Sequence, residues 1–371
     1  MIRVAFDATP LLGPRTGVGQ FCAGVLPVLA QREDLAMSGF AMSWRGRHAL
    51  AASLPDGAVP VNRPLPAHVL QELWARWPWP TAEACVGRVD VVHGTNFVVP
   101  PARRAAMVVS VHDLTPLRFP EWCRPASLVY PKLVHKAVER GAWVHTDSAF
   151  VAREVIDLLG VPGERVRVVP LGVPVGPAVV PSLRPSRLPE WVSRYVLALG
   201  TVEPRKDLPT LVKAFELVAD HQPDLALVIA GPDGWGGDQL ATAVATGAAP
   251  DRVVRLGWVS PADRDWLLRQ ATVFAYPSRY EGFGLPPLEA MTYGVPVVAS
   301  RAGALQEVLG DAAYLVEPSD GEALAIALEH VLTDRAARDD LVRRGRERAG
   351  LYSWEACAEG LARLYREAVS R

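Results

Sequence analysis

From residue 174 to 189 the chain reads Pro-Val-Gly-Pro-Ala-Val-Val-Pro-Ser-Leu-Arg-Pro-Ser-Arg-Leu-Pro, and this run divides everything around it. Proline fixes φ and lacks a backbone donor, so the run can hold neither a regular helix nor a central strand. Taken to residue 192, it predicts an interdomain linker. On both sides, short runs rich in Val, Ala and Ile alternate with longer helical patterns, the signature of strand–helix units around parallel sheets. Candidate strands fall at 2–6, 89–93, 107–111, 143–146 and 166–169 before the linker. After it they fall at 195–199, 225–230, 253–256, 273–276, 295–299 and 313–316. The expected fold class is α/β, with two doubly wound, Rossmann-like domains at 1–173 and 193–353. Such sheets hold ligands in a crevice outside the carboxyl ends of their strands.

The chain's 371 residues fit two cores better than one. A 50% hydrophobic share with a formal net charge of −1 excludes a disordered polar chain. The first half is mildly basic and the second acidic, and neither is basic enough to argue for nucleic-acid binding. Cys22, Cys85, Cys123 and Cys357 show no paired spacing, which suits a reducing compartment and gives no zinc or redox motif. The opening residues lack the apolar core of a signal peptide and no run is long enough to span a bilayer, so a cytoplasmic protein is expected. The first strand is not followed by Gly-x-Gly-x-x-Gly, which disfavours a nicotinamide oxidoreductase.

Chemistry concentrates in Glu281-Gly282-Phe283-Gly284-Leu285-Pro286-Pro287-Leu288-Glu289, directly after the 273–276 strand. Pro286 and Pro287 suit the first turn of a helix, where no backbone bond is lost, so Glu281 falls on a loop and Glu289 on the helix after it. Glycines let a ligand approach the backbone, and a helix start offers N–H groups and partial positive charge to an anion. Carboxylates beside such a place are acceptors for neutral hydroxyls. Phosphate, sugar and ribose together describe a nucleotide sugar.

The stretch 276–300 resembles the donor-binding segment of retaining glycosyltransferases of family 4, whose pattern is Glu, seven residues, Glu. The likeness extends over nearly the full chain and is strongest from about Gly200 to Ser300. It implies the GT-B architecture, two Rossmann-like domains facing across a cleft, with the last helix, 354–371, packing back on the first. By resemblance Glu281 contacts the hydroxyls of the donor sugar and Glu289 holds the ribose diol. Gly282, Phe283, Gly284 and Leu285 join them in donor binding.

The loop Gly200-Thr201-Val202-Glu203-Pro204-Arg205-Lys206-Asp207 places two cations before a helix, and resembles the family's diphosphate-binding element. Fixed cations stabilise the charge on a departing diphosphate without a metal. Arg205 and Lys206 are therefore expected to stabilise the leaving group, with Thr201 beside the donor. In the first half, Gly17-Val18-Gly19 looks like the family's loop that closes on the donor, which makes Gly17 and Gly19 backbone-contact positions. His112 matches the family's active-site histidine, in the role of a hydrogen-bond donor. Asp113 is expected to orient it or to meet the acceptor, together with Asn96. His93 stands open between a structural and a site role. Val259 and Arg264 resemble the nucleobase-contacting region.

Asp263-Arg264-Asp265 imitates a metal motif of a different glycosyltransferase architecture, but it follows Ser260-Pro261 in a helix first turn, where acids are favoured locally. No metal and no cofactor are expected. The helix expected at 124–140 carries Lys132, Lys136 and Arg140 on one face, and Trp74, Trp77 and Trp79 lie before it. These could meet an anionic membrane where lipid-linked acceptors reside. The plainer reading is a solvated face with core aromatics.

The resemblance implies retaining transfer of a hexosyl unit from a nucleoside-diphosphate sugar to a glycan or lipid-linked acceptor of surface polysaccharide or glycoconjugate synthesis. The Phe-Asp-Ala, Gly-Val-Gly, Val-His-Asp-Leu and Glu-Pro-Arg-Lys elements look most like bacterial mannosyltransferases, which makes GDP-mannose the first donor to try. Two rivals stay open: a non-hydrolysing sugar-nucleotide epimerase, and a sugar-nucleotide-binding protein without transfer activity.

Overall fold

The computed structural model describes residues 1–13, 17–44, 46–61, 63, 66–174 and 183–370. They form two compact units, Met1–Gly172 with Tyr352–Arg371, and Val173–Leu351. Of the expected linker at 174–192, residues 175–182 lie outside the described residues.

Unit 1 holds a seven-stranded sheet in the order β3-β2-β1-β4-β5-β6-β7. Its strands are β1 (Ile2–Asp7), β2 (Leu35–Phe40), β3 (Val59–Val61), β4 (Val91–Gly94), β5 (Ala106–Val111), β6 (Trp143–Thr146) and β7 (Val166–Val168). Unit 2 holds six strands in the order β10-β9-β8-β11-β12-β13. These are β8 (Arg194–Leu199), β9 (Leu225–Ala230), β10 (Val253–Gly257), β11 (Val273–Tyr276), β12 (Val297–Ser300) and β13 (Tyr314–Val316). All neighbouring strands pair in parallel. The central strands are buried along their length, as apolar runs covered by helices on both faces must be. The α/β, doubly wound expectation holds in both units.

Two strands escape the sequence reading. β2 carries Ser38 and Gly39 within a short run, and β3 is a three-residue edge strand with Pro60 at its centre and Val59 exposed. Proline is tolerated there because an edge strand has a side with no ladder to complete. The helix expected at 124–140 is also corrected. A short 3-10 turn, Pro125–Val129, precedes the α-helix Tyr130–Glu139, so Pro131 falls in the first turn of a helix rather than inside one.

The last helix, Trp354–Ser370, packs in unit 1 against the helix Gly17–Ala30. A methyl group on Gly24 would come within 2.1 Å of the Trp354 ring, and one on Gly172 within 2.5 Å of the Trp354 backbone. Both glycines thus make room for one indole. Ion pairs Arg32–Glu359 at 2.8 Å and Arg167–Glu367 at 2.5 Å flank that seat.

Candidate active site

In unit 2 the strand order reverses between β8 and β11, and in open α/β sheets the crevice outside such a reversal is where ligands bind. The loop after β8 carries Arg205 and Lys206, and the loop after β11 carries Glu281. The two loops meet through one carboxylate. Glu281 Oε2 lies 2.6 Å from Arg205 Nη1, and Oε1 lies 2.6 Å from Lys206 Nζ. The Lys206 ammonium also donates to the Tyr276 hydroxyl and sits 4.4 Å from the centroid of the Tyr276 ring. Arg205 reaches further, to Glu203 at 2.6 Å and to the Tyr280 carbonyl at 3.0 Å. A hollow beside this group is lined by Gly200, Thr201, Lys206, Tyr276, Pro277 and Ser278.

Lys206 and Glu281 are both buried. Burial alone would push the Glu281 carboxyl up, but Arg205 and Lys206 outweigh it and hold the group at about 2. Burial drives Lys206 below its ordinary value, with Glu281 opposing that shift. A buried carboxylate shared by two cations is therefore ionised across the physiological range. Its remaining lone pairs can still accept from hydroxyls.

Gly284 adopts a left-handed conformation, φ 107°, and opens the helix Leu285–Thr292 with Pro286 and Pro287 in its first turn. Glu289 lies on that helix, buried, and its carboxylate pairs with Arg264. Arg264 belongs to the helix Pro261–Gln270, where Ser260 and Asp263 close a capping box. Asp265 accepts from Arg269 at 2.9 Å and from the Tyr293 hydroxyl at 2.5 Å. Both acids of the Asp-x-Asp imitation thus have local structural partners. The glutamate spacing gave no sign of the two cations held by Glu281 or the one held by Glu289, because those partners come from another loop and another helix.

Unit 1 gathers a second set. Residues 14–16 lie outside the described residues; Gly17 and Gly19 begin the helix Gly17–Ala30, Gly17 exposed and Gly19 buried. Asn96 is half-buried in the loop after β4, and its carbonyl accepts from Val98 N at 2.8 Å. His112 follows β5. Its Nδ1 lies 2.6 Å from Asp147 Oδ2 and its Nε2 lies 2.8 Å from the Thr95 carbonyl. Both neighbours accept, so both ring nitrogens donate, and the imidazolium is the form that satisfies them. The residue that orients His112 is therefore Asp147, not Asp113, whose Oδ1 accepts instead from the Thr115 backbone at 2.9 Å.

His93 is structural. The Val169 carbonyl can only accept, so His145 carries its proton on Nε2, at 3.0 Å. His145 Nδ1 then accepts from the Ser110 hydroxyl at 2.8 Å, and Ser110 accepts from His93 Nε2 at 2.8 Å. That leaves His93 Nδ1 to accept from Tyr365 at 2.7 Å, which ties the last helix into the core. Burial depresses both His93 and His145, in keeping with neutral rings.

For His112, burial works against the cation, but Asp147 prevails and raises the ring above its ordinary 6.5. Its contribution to stability is therefore complete below 6.5 and is lost as pH rises through the raised value. His112→Asn leaves Asp147 without its cation and is expected to cost about 3 kcal/mol at pH 6, and less at pH 9. Urea unfolding of both proteins at the two pH values measures this. An equal cost at both would show that the ring carries no charge.

The whole chain is similar to sucrose-phosphate synthase from Thermosynechococcus elongatus, at a TM-score of 0.76 and 22% identity over 100% of both chains. It is likewise similar to HepE of Anabaena in complex with UDP and glucose, at 0.72 and 17% identity, over 99% of this chain and 100% of that one. The fold is that of the GT-B glycosyltransferases. Residues 186–348 match the family model described as glycosyl transferases group 1, and residues 17–176 match the one described as glycosyltransferase family 4. O-antigen chain mannosyltransferase B of Escherichia coli is 34% identical over 283 residues, covering 74% of each protein. The chain belongs to family 4 of the glycosyltransferases and is a glycosyltransferase; these matches do not favour an epimerase or a binding protein without transfer activity.

Proposed function

We propose that the chain transfers mannose from GDP-mannose, with retention at the anomeric carbon, to a glycan or lipid-linked acceptor of surface-polysaccharide synthesis. The observation that carries this reading is the junction of Glu281 with Arg205 and Lys206 at the strand-order reversal of unit 2. The mannosyltransferase relative supports the choice of sugar. Unit 2 is the donor-binding domain. Arg205 and Lys206 receive the diphosphate, and their fixed charge stabilises it as the glycosidic bond breaks. Glu281 accepts from the sugar hydroxyls while restraining both cations. Glu289 accepts from the ribose diol. Thr201, the Gly282–Leu285 backbone, Val259 and Arg264 surround the rest of the donor. In unit 1, the acceptor-side domain, Gly17 and Gly19 offer backbone to the donor, and Asp113 and Asn96 meet the acceptor. His112, expected as a hydrogen-bond donor to the substrate, has both ring N–H groups taken by Asp147 and the Thr95 carbonyl and contributes a fixed cation instead.

Retention follows if the incoming hydroxyl attacks from the face that the diphosphate leaves, giving up its proton to a diphosphate oxygen. The protein then supplies orientation and charge rather than a nucleophile. Because side-chain cations neutralise the leaving group, neither a metal nor a cofactor is required.

A donor screen read by nucleoside-diphosphate release tests the proposal. Turnover is expected with GDP-mannose, an α-linked product by NMR, and an unchanged rate in EDTA. Turnover with UDP-glucose alone would reject mannose as the sugar. A β-linked product would reject retention, and a rate abolished by EDTA would reject metal independence.

The site of action we propose is cytoplasmic, at the inner membrane face. Among the described residues no helix is long and apolar enough to cross a membrane. Trp74 is core, whereas Trp77 and Trp79 are 56% and 62% exposed. Their segment follows the helix Ala67–Trp74, which touches the helix Tyr130–Glu139 bearing Lys132 and Lys136. Co-sedimentation with vesicles containing anionic lipid is expected, and Trp77→Ala/Trp79→Ala is expected to weaken it. Equal recovery with and without vesicles would reject membrane contact.

A further inference from the structure

Asp207 occupies the residue before the helix Leu208–Ala219, where an aspartate ordinarily caps the free helix N–H groups. It does not cap this one: its side chain makes no bond to that helix start. The carboxylate is buried and turned to two other loops instead. Oδ1 accepts from Arg279 Nη2 at 2.9 Å, and Oδ2 accepts from the Ser319 hydroxyl at 2.8 Å. Arg279 Nε in turn donates to Ser319 Oγ at 3.0 Å, which closes a triangle. Its three corners follow β8, β11 and β13, so the carboxyl end of one sheet is laced across three strands.

The backbone adds a second observation. Among the described residues only Phe97, Asp207 and Ser319 have positive φ without being glycine, and two of these three are corners of the triangle, at 48° and 63°. Glycine adopts that conformation without steric cost, and strained residues persist where the surroundings over-determine them. A side chain at such a backbone carries a cost that glycine does not, and here two of the three belong to one bonded triangle. What the triangle borders is specific. Arg279 N donates to the Arg205 carbonyl at 2.8 Å, so the clamp joins the loop of Arg205 and Lys206 to the loop that leads into Glu281.

We infer that Asp207, Arg279 and Ser319 are positioning residues, a clamp that holds the Arg205–Lys206 loop in register with the Glu281 loop for transfer. The inference rests on the proposed role of that cation pair in receiving the donor diphosphate. None of the three need touch substrate. They act by fixing where the two cations stand, and misplacement of charge by about 1 Å is enough to cost on the order of a hundredfold in rate.

Glycine separates this role from a merely structural one. Asp207→Gly and Ser319→Gly relieve the backbone while removing the bonds of the clamp, so Tm is expected to fall modestly with the fold kept, while kcat with GDP-mannose falls about tenfold and donor KM moves less. Asp207→Asn, with one oxygen and an amide in place of two oxygens, is expected to fall between. Amide exchange gives a readout independent of turnover: the Arg279 N–H should exchange faster in Asp207→Gly, because its bond to Arg205 is no longer braced. Wild-type kcat in Asp207→Gly, beside lost turnover in Arg205→Ala, would overturn the clamp as a positioning device. Unchanged Arg279 exchange would overturn it whatever the turnover. If exchange quickens but Arg205→Ala keeps full activity, the clamp stands and the diphosphate reading of the cation pair falls.

Discussion

Lys206→Met is expected to lower kcat by roughly 10²–10³-fold, the loss typical when one preorganised donor is removed from a site of developing negative charge. Methionine keeps an unbranched apolar stem in a buried position, so the change removes charge with little loss of volume. The effect should be large because Lys206 is not a solvated surface cation. It is held by Glu281 at 2.6 Å and by the Tyr276 hydroxyl and ring, and so it pays little reorganisation when the diphosphate charge appears. Glu281 keeps Arg205, so its carboxylate remains paired and the protein should fold. Its carboxyl, held at about 2 by both cations, should rise with one of them gone. Steady-state rates at saturating donor, with Tm measured alongside, decide the matter. Retained kcat at normal Tm would remove Lys206 from the chemistry and leave it a structural counter-ion to Glu281.

How much of this was legible beforehand follows from the range of each interaction. The strands β8, β9 and β11 could be read almost to the residue, because a strand buried on both faces is an unbroken apolar run and the signal is local. The loop position of Glu281, the helical position of Glu289 and the cap formed by Ser260 and Asp263 were also local, written in neighbouring prolines, glycines and serine. The strands β2 and β3 were not legible, since Gly39 and Pro60 break the apolar signal and the pairing that stabilises them is non-local. The same limit governed the site. Asp147 is 35 residues from the histidine it orients, and Ser319 is 112 from Asp207. Asp207 ended the cation-bearing loop with no role of its own in the sequence, and only the fold reveals that its carboxylate turns to Arg279 and Ser319. For Asp147 a usable signal existed: like His112, it is a polar residue placed just where a parallel strand stops, after β6.

Gly303→Ala is expected to reduce kcat/KM by about a hundredfold although no side chain is lost, since small displacements of a reacting constellation cost rate on that scale. A methyl group on Gly303 would stand 2.2 Å from the Glu281 carbonyl oxygen, 2.8 Å from its nitrogen and 3.1 Å from its carbonyl carbon. These are backbone atoms of the residue that bridges Arg205 and Lys206, so they can yield only by moving Glu281 itself. The Glu281 carbonyl also accepts from Ala304 N at 2.8 Å, which fastens the two loops together at the point of collision. Gly303 has φ +57°, and alanine there carries a conformational penalty of about 1–2 kcal/mol as well. Gly160 supplies the control: it is left-handed at φ +63° and ψ 27°, and an added methyl group would meet nothing within 4 Å. Gly160→Ala should therefore lose Tm from left-handed backbone strain and keep its turnover. Equal loss of activity in the two variants would mean that strain alone accounts for the effect, and that the seat of Glu281 tolerates displacement.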